Sequence, residues 1–198
     1  MKKINAKLVA TDIAQCALFV ALMTIGANVS IPFFPVPLTF QTVISVLSGL
    51  LLGWRKGVIS MSVYCAIGLV GIPVFTGFGC GFAYVLKPTF GYILGFILSA
   101  FVAGFIVRGN SVPFWRYVVA AVAAFVANYA LGIPYFALIW HYYMHSPSLG
   151  EFIVSYNLLY MPKDLALCLL ASVLAWRVAP HVRRSRNKLK SAEKTEER

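Results

Sequence analysis

One acidic residue, Asp164, stands at the start of an apolar stretch and is the side chain of this sequence best suited to hold a ligand. Pro162 suits the first turn of a helix, where its missing N–H loses no partner, and Asp164 falls in that turn. A carboxylate near a helix N-terminus tends to stay ionised, and an acid inside a membrane segment is by default a functional residue. An ion pair with the neighbouring Lys163 is the structural alternative. The other acids fit membrane interfaces or tails: Asp12, Glu151, Glu193, Glu196 and Glu197.

Two side-chain amides are further candidates for binding. Asn128 lies inside a long apolar stretch, where an amide without partners is costly. A hydrogen bond between helices and a contact to a ligand are both open roles for it. Gly132 and Pro134 follow it and predict a distorted helix that exposes backbone to a cavity. Gln41 comes just after a proline-rich turn, so we expect it near the outer face, where both amides converge on one pocket.

Several tempting catalytic or metal-binding patterns are incomplete. His141 and His145 have the i, i+4 spacing of a metal pair, but no adjacent Glu or third ligand accompanies them. The glycines of 77–81 precede no Lys-Ser/Thr pair, and no Gly-x-Ser-x-Gly elbow occurs. We therefore expect no enzyme, no metal and no cofactor. The cysteines are too far apart for a Cys-x-x-Cys site and are interpreted as small apolar packing residues: Cys16, Cys65, Cys80 and Cys168.

Composition places the chain in a membrane. Its 198 residues are 60% hydrophobic and only 12% charged, and the mean hydropathy is +0.81. Soluble domains have about 45–50% apolar and about 25% charged residues. At roughly 20 residues per spanning helix, the apolar residues suffice for six spans and leave little for a soluble lobe. A separate nucleotide-binding or catalytic domain is therefore excluded.

Breaks in the apolar pattern divide the chain into six stretches. The proline-rich segment 31–37 cannot be helical, and the glycine-rich segment 71–81 is expected to be an irregular loop that lies on or dips into the protein. The sequence predicts an all-α integral membrane protein, a bundle of six transmembrane helices formed by residues 1–180, followed by a basic tail over 181–198. The stretches are roughly 8–29, 38–52, 57–72, 89–107, 114–142 and 161–179.

The positions of the basic residues predict the orientation. With both termini in the cytoplasm, all but two of the 17 Lys and Arg fall on the inner side, and only Lys87 and Lys163 lie on or near the outer side. The net charge of +11 is then an orientation signal attracted to anionic membrane lipids, and we expect no nucleic-acid partner. The predicted location is the cell membrane, crossed several times.

Small residues four positions apart let helices approach closely in lipid. Such pairs occur in the first, second and fourth stretches. Packing inside the bundle and docking of another membrane protein are both open roles for each pair. The pairs are Ala17 with Ala21, Gly49 with Gly53, and Gly91 with Gly95.

Several ordered motifs carry a resemblance to a known family. From about residue 14 to residue 175 the sequence resembles the BioY family, the biotin-specific substrate-binding (S) components of energy-coupling factor (ECF) transporters. The family often has glycine where this chain has Lys163, and a lysine at the position of Leu167. The motifs are Pro-Val-Pro-Leu-Thr-Phe-Gln-Thr at 35–42, Gly-Leu-Leu-Leu-Gly at 49–53, Gly-Ile-Pro-Val-Phe at 71–75, Pro-Thr-Phe-Gly-Tyr-Ile-Leu-Gly-Phe at 88–96 and Pro-Lys-Asp-Leu at 162–165.

The resemblance implies a six-helix bundle with a vitamin site near its outer face, capped by loops. It places the acid that corresponds to Asp164 in the binding site, where a carboxylate accepts the N–H donors of the biotin ureido ring. An amide or a phenol then donates to the ureido carbonyl. From their charge alone, we expect Lys87 or Lys163 to face the valerate carboxylate. The predicted substrate contacts are Asp164, Asn128, Gln41, Tyr92, Lys163, Thr39 and Lys87.

The resemblance also implies partners. The Ala-x-x-x-Ala pattern of Ala17 and Ala21 corresponds to the family's contact with the transmembrane coupling subunit. The expected function is capture of biotin at the outer face for uptake driven by separate ATPase subunits. An S component for another small vitamin is the alternative within transport. An intramembrane enzyme or a membrane assembly subunit is the alternative of another class, and no second catalytic residue at depth supports it.

Overall fold

The computed structural model describes residues 6–29, 39–109, 112–142 and 160–182. Six α-helices account for most of them, and they coincide with the six predicted stretches to within about three residues at most ends. The predicted proline turn at 31–37, His145 and the basic tail from 183 onward lie outside the described residues. The helices are α1 Ala6–Asn28, α2 Gln41–Leu52, α3 Trp54–Val70, α4 Phe90–Ile106, α5 Phe114–Tyr142 and α6 Tyr160–Val182.

Three of these helices, α1, α5 and α6, are long and apolar enough to cross a membrane. The helix α4 has 17 residues and α2 has 12, and at 1.5 Å per residue α2 covers about 18 Å. That length is shorter than the hydrocarbon layer of about 30 Å. The expectation of six helices is confirmed, and spanning length is shown for three of them.

Glycine conformation sets the ends of α3. Gly53 alone separates α2 from α3 and has a φ of 80°, a region that side chains rarely adopt. Gly71 ends α3 with a φ of 117° in the left-handed region, the usual glycine stop of a helix. The two glycines therefore turn the chain sharply with few connecting residues.

Contacts between α4 and α5 show that these helices are antiparallel. Gly91 faces Tyr135 and Gly95 faces Asn128. Further along, the Ser99 hydroxyl donates a hydrogen bond to the carbonyl of Ala124 over 2.9 Å. Residue numbers rise along α4 as they fall along α5, and glycine on α4 lets the two backbones approach closely.

Successive helices of the chain run in alternate directions, and this defines two ends of the bundle. At one end, here called the site end, α2, α4 and α6 begin, and Lys87 and Lys163 lie there. At the other, the basic end, α1, α3 and α5 begin, and Lys56 forms an ion pair with Asp12 at 2.8 Å. The remaining basic residues of α3 to α6 in the described ranges are at the basic end: Arg55, Arg108, Arg116 and Arg177.

The segment between α3 and α4 is irregular, as predicted. It contains two short 3-10 helices, Thr76–Phe78 and Phe82–Leu86. The ring of Phe75 is fully buried and packs on Gly68, where a Cβ would overlap the ring. This connecting segment, residues 71–89, is called the cap loop below, because it lies at the site end and packs onto the helices.

The small-residue pairs separate into two groups. Gly49 packs against the backbone of Ala100 on α4, so this residue serves packing inside the bundle. Ala17 and Ala21 are exposed, and α1 contacts the bundle through another face that includes Met23. The alanine pair is therefore accessible to lipid or to another protein.

Candidate functional site

The carboxylate of Asp164 is buried at the site end, with 6% of the residue exposed. It lies in the first turns of α6. Its Oδ2 accepts a hydrogen bond from the hydroxyl of Thr42 on α2 over 2.8 Å and another from the hydroxyl of Tyr129 on α5 over 2.9 Å. Three helices thus converge on one carboxylate oxygen, and these hydrogen bonds fix its orientation.

The second oxygen of Asp164 has a different environment. Oδ1 lies 2.7 Å from Nζ of Lys163 in an ion pair, and no other donor among the described residues reaches it. Lys163 also donates to the carbonyl of Thr39 over 2.7 Å. The ion pair foreseen as the structural alternative is present, and it leaves Oδ1 with capacity to accept a donor from a ligand.

Two tyrosine rings meet beside the carboxylate. The rings of Tyr92 on α4 and Tyr129 on α5 meet edge to face, with centroids 5.7 Å apart. Tyr92 lies directly against Gly132, where a Cβ would overlap its ring. The glycine therefore makes room for an aromatic ring, and α5 runs unbroken from Phe114 to Tyr142 with Pro134 inside it. The expected distortion of the helix does not interrupt it.

Asn128 is completely buried between α4 and α5. Neither its amide oxygen nor its amide nitrogen has a hydrogen-bond partner within the part of the chain that the structure describes. The oxygen lies against Gly95, where a Cβ would collide with it. A buried amide without partners costs about 1–3 kcal/mol. This cost indicates that the amide of Asn128 bonds to something other than the described protein atoms.

Gln41 is also buried, with 5% exposed, but its amide is engaged by the protein. Nε2 donates to the hydroxyl oxygen of Tyr64 over 2.9 Å, and Oε1 accepts a hydrogen bond from the hydroxyl of Thr76 in the cap loop over 3.0 Å. The hydroxyl of Tyr64 in turn donates to the carbonyl of Val74 over 3.0 Å. Gln41 therefore connects α2 to α3 and to the cap loop.

Lys87 is an exposed cation of the cap loop. Its ammonium lies 4.5 Å from the ring centroid of Tyr84, and it forms no ion pair with any described residue. Burial raises the pKa of the Tyr84 phenol above its ordinary value, although hydrogen bonds with Thr89 and Thr76 oppose the rise. The neutral ring offers its face to the cation, which stays available to an anionic group.

The structure connects some of the predicted residues and separates others. Asp164, Lys163 and Thr39 form a cluster that Tyr92 joins through Tyr129. Gln41 and Lys87 instead contact residues of the cap loop, and Asn128 lies apart against Gly95. Thr42 and Tyr129 were not predicted as partners of the acid. Each is the immediate neighbour of a predicted residue, Gln41 and Asn128 respectively. The local sequence pattern does not show that Thr42 points toward an acid 122 residues away.

The arrangement of the helices is that of a known membrane-protein fold. The solved S-component for biotin from an ECF-type ABC transporter superimposes with a TM-score of 0.69 over 89% of this chain and 94% of that chain, at 24% sequence identity. At this identity the similarity shows the fold. Together with the apolar helices, it describes a membrane protein of the S-component architecture.

Sequence comparisons identify the family. A sequence model of the BioY family matches residues 1–184. The biotin transporter BioY of Thermotoga maritima is 36% identical over 134 residues, which cover 68% of this chain and 76% of that protein. A relative from Lysinibacillus sphaericus, named "Probable biotin transporter BioY", is 45% identical over 125 residues, 63% of each chain. That match spans less than two thirds of the relative's length. The protein belongs to the BioY family.

Proposed function

We propose that this protein is the S component of an ECF-type transporter and captures biotin for uptake across the cell membrane. The observation that carries the proposal is the buried carboxylate of Asp164. Its Oδ2 is held by two hydroxyl donors, while Oδ1 has no donor in the described ranges apart from its ion pair with Lys163. Membership of the BioY family and the relatives' names, which describe biotin transporters, support biotin as the ligand of this acceptor. The protein carries out binding and transport and is no enzyme.

The ureido ring of biotin matches the free hydrogen-bonding capacity of the site. The ring offers two N–H donors and one carbonyl acceptor. In our proposal Oδ1 of Asp164 accepts one N–H, and the amide of Asn128, which is buried without a partner among the described residues, donates to the carbonyl. The rings of Tyr92 and Tyr129 then pack against the bicyclic body. Burying these polar groups against complementary ones removes the cost of leaving them unsatisfied.

The valerate carboxylate of biotin needs a cation or donors of its own. Lys163 is occupied by Asp164 and by the carbonyl of Thr39, so we assign the carboxylate to Lys87. Its exposed position in the cap loop suits the flexible, charged end of the ligand, whereas the ureido ring suits the buried end. The two ends of biotin would then be recognised by different elements, α6 and the cap loop.

Orientation and partners follow the charge distribution. We propose that the basic end faces the cytoplasm, with both termini there and with its Lys and Arg residues near anionic lipid headgroups. The site end then opens outward. Residues 1–180 would form the multi-pass membrane domain, and 181–198 a basic tail. The exposed pair Ala17 and Ala21 would dock the transmembrane coupling subunit, which connects the protein to ATPase subunits.

Equilibrium binding of radiolabelled biotin to the detergent-purified protein tests the proposal, beside a panel of other vitamins. Biotin is expected to bind and to be displaced by unlabelled biotin but by no other member of the panel. Saturable binding of another vitamin in the absence of biotin binding would establish the alternative S-component function. Absence of binding by a folded, monodisperse sample to every member would contradict the assignment of a vitamin site.

A further inference from the structure

The first turn of α2 carries two adjacent side chains that connect different parts of the site end. The hydroxyl of Thr42 donates to Asp164 on α6 over 2.8 Å. Gln41, its neighbour, accepts a hydrogen bond from Thr76 of the cap loop over 3.0 Å. One helical turn therefore joins the loop to the proposed ligand carboxylate through one buried and one partly buried hydrogen bond.

The amide of Gln41 is poorly placed to serve as a ligand contact. It is buried, its oxygen is engaged by Thr76, and its nitrogen donates to Tyr64 over 2.9 Å. Both polar atoms of this side chain are thus already engaged by the protein, and with 5% of the residue exposed little of it is accessible to a ligand. Asn128, by contrast, has an amide with no partner among the described residues.

The cap loop has other anchors, but they differ in what they connect. The backbone N–H of Phe78 donates to the side chain of Asn28 over 2.9 Å, and the hydroxyl of Tyr135 donates to the carbonyl of Val85. These bonds fix the loop to α1 and α5. The Gln41–Thr76 bond instead attaches the cap loop to α2, next to Thr42, which donates to Asp164.

We propose that Gln41 is a positioning residue for ligand retention, which couples the cap loop to Asp164 through the first turn of α2 and does not contact the ligand. This inference rests on the proposed function. A displaced loop breaks the Gln41–Thr76 bond, and a displaced α2 turn loosens the bond from Thr42 to Asp164. Loss of the Gln41–Thr76 bond therefore accelerates escape of the ligand more than it slows entry.

The test measures association and dissociation rates of biotin for the full-length protein and three variants, Thr76→Val, Gln41→Leu and the double variant. Thr76→Val removes the hydroxyl at nearly constant shape, and with it the hydrogen bonds to both Gln41 and Tyr84; the double variant isolates the share that passes through Gln41. Thr76→Ser, which keeps the hydroxyl, is the matched control. We expect Thr76→Val to raise the dissociation rate roughly 3- to 10-fold, the factor of one net hydrogen bond, with the association rate nearly unchanged. Thr76→Ser should match the unmodified protein.

The double variant separates positioning from ligand contact. If Gln41 acts through Thr76, Gln41→Leu raises the dissociation rate by a smaller factor in the Thr76→Val background than alone, because the shared bond is already absent. The same factor in both backgrounds would mean that Gln41 acts independently of Thr76, and the proposal would be wrong.

Hydrogen exchange of the ligand-free protein supplies a readout that does not depend on biotin. Amides of residues 76–86 should exchange faster in Thr76→Val and Gln41→Leu than in Thr76→Ser. Unchanged exchange in both variants would overturn the coupling even if biotin binds as proposed. Faster exchange in a protein that binds no biotin would support the coupling while the proposed ligand fails, so the two failures are distinguishable.

Discussion

Thr42 and Asp164 are separated by 122 residues, and the hydroxyl of one donates to the carboxylate of the other over 2.8 Å in the buried site end. A second hydroxyl, from Tyr129, donates to the same oxygen over 2.9 Å. Two donors on one oxygen hold the carboxylate in a fixed rotamer before any ligand arrives. A preorganised acceptor loses less entropy on binding than a mobile one, so this arrangement would favour the ligand contact that we propose for Asp164.

Replacement of the central acid should weaken binding. We expect Asp164→Asn to lower biotin affinity by about 10- to 150-fold, because hydrogen bonds to a charged acceptor are worth about 1.5–3 kcal/mol. Asp12→Asn is the matched control, since this carboxylate pairs with Lys56 at the basic end and should leave affinity unchanged. Isothermal titration of both folded variants measures the difference. Equal affinity of Asp164→Asn and the unmodified protein would show that Asp164 has a structural role only.

The unpartnered amide of Asn128 predicts a separation of stability from binding. Asn128→Leu keeps a similar shape and removes two buried polar atoms that have no partner in the described residues. The ligand-free protein should therefore unfold at the same or a higher temperature, while biotin affinity falls by about tenfold or more. Thermal unfolding with and without saturating biotin gives both quantities. A strongly destabilised ligand-free variant would indicate that the amide bonds to the protein itself.

The close approach of Gly132 and Tyr92 should make this glycine intolerant of any side chain. Gly132→Ala places a methyl group into the ring of Tyr92 and is expected to lower stability by about 1–3 kcal/mol through overpacking. Combining it with Tyr92→Leu, which removes the ring, should recover part of that loss. Thermal unfolding of the two single variants and the double variant measures the recovery. If the stability losses of the two single variants simply add in the double variant, the methyl group of Gly132→Ala does not act through the Tyr92 ring.

The assignment of Lys87 to the valerate carboxylate predicts an effect that depends on ligand charge. Lys87→Gln should weaken binding of biotin by a few-fold, as expected for an exposed ion pair of about 0.2–1 kcal/mol, and should leave binding of the neutral biotin amide unchanged. The loss should shrink as salt is added, because ions screen exposed charges. Competition with radiolabelled biotin provides the affinities. An equal loss for both ligands would argue against a charge contact.

The exposed alanine pair of α1 predicts a defect in assembly alone. Changing Ala17 and Ala21 together to Trp should preserve biotin binding by the isolated protein and abolish co-purification with the coupling subunit, because bulky side chains block close helix approach. The control changes Leu170 and Leu174 together to Trp, two exposed residues at the same spacing on α6, and should leave co-purification intact. Loss of biotin binding with the alanine pair would instead indicate a folding defect.

Much of the fold could be predicted from the sequence because the length of an apolar stretch can be read from consecutive residues. A chain with 60% hydrophobic residues must place its helices in lipid, and prolines, glycines and charges mark where they end. The predicted stretch 114–142 coincides with α5, and the loop predicted from the glycines of 71–81 is irregular. Asp164 was also identified from sequence, since an acid beside an apolar run is rare enough to stand out.

The partners of these side chains were decided by tertiary packing alone. Gln41 and Asn128 are both amides in apolar surroundings, and nothing local distinguishes them. In the structure Gln41 is engaged by Thr76 and Tyr64, whereas Asn128 lies against Gly95, a residue without a side chain to bond to it. Which way a helix face points depends on its rotation against neighbours distant in sequence. The sequence therefore determined which side chains can form hydrogen bonds. The packing of α2, α4, α5 and α6 determined which of these side chains the protein itself engages and which stay without a partner among the described residues.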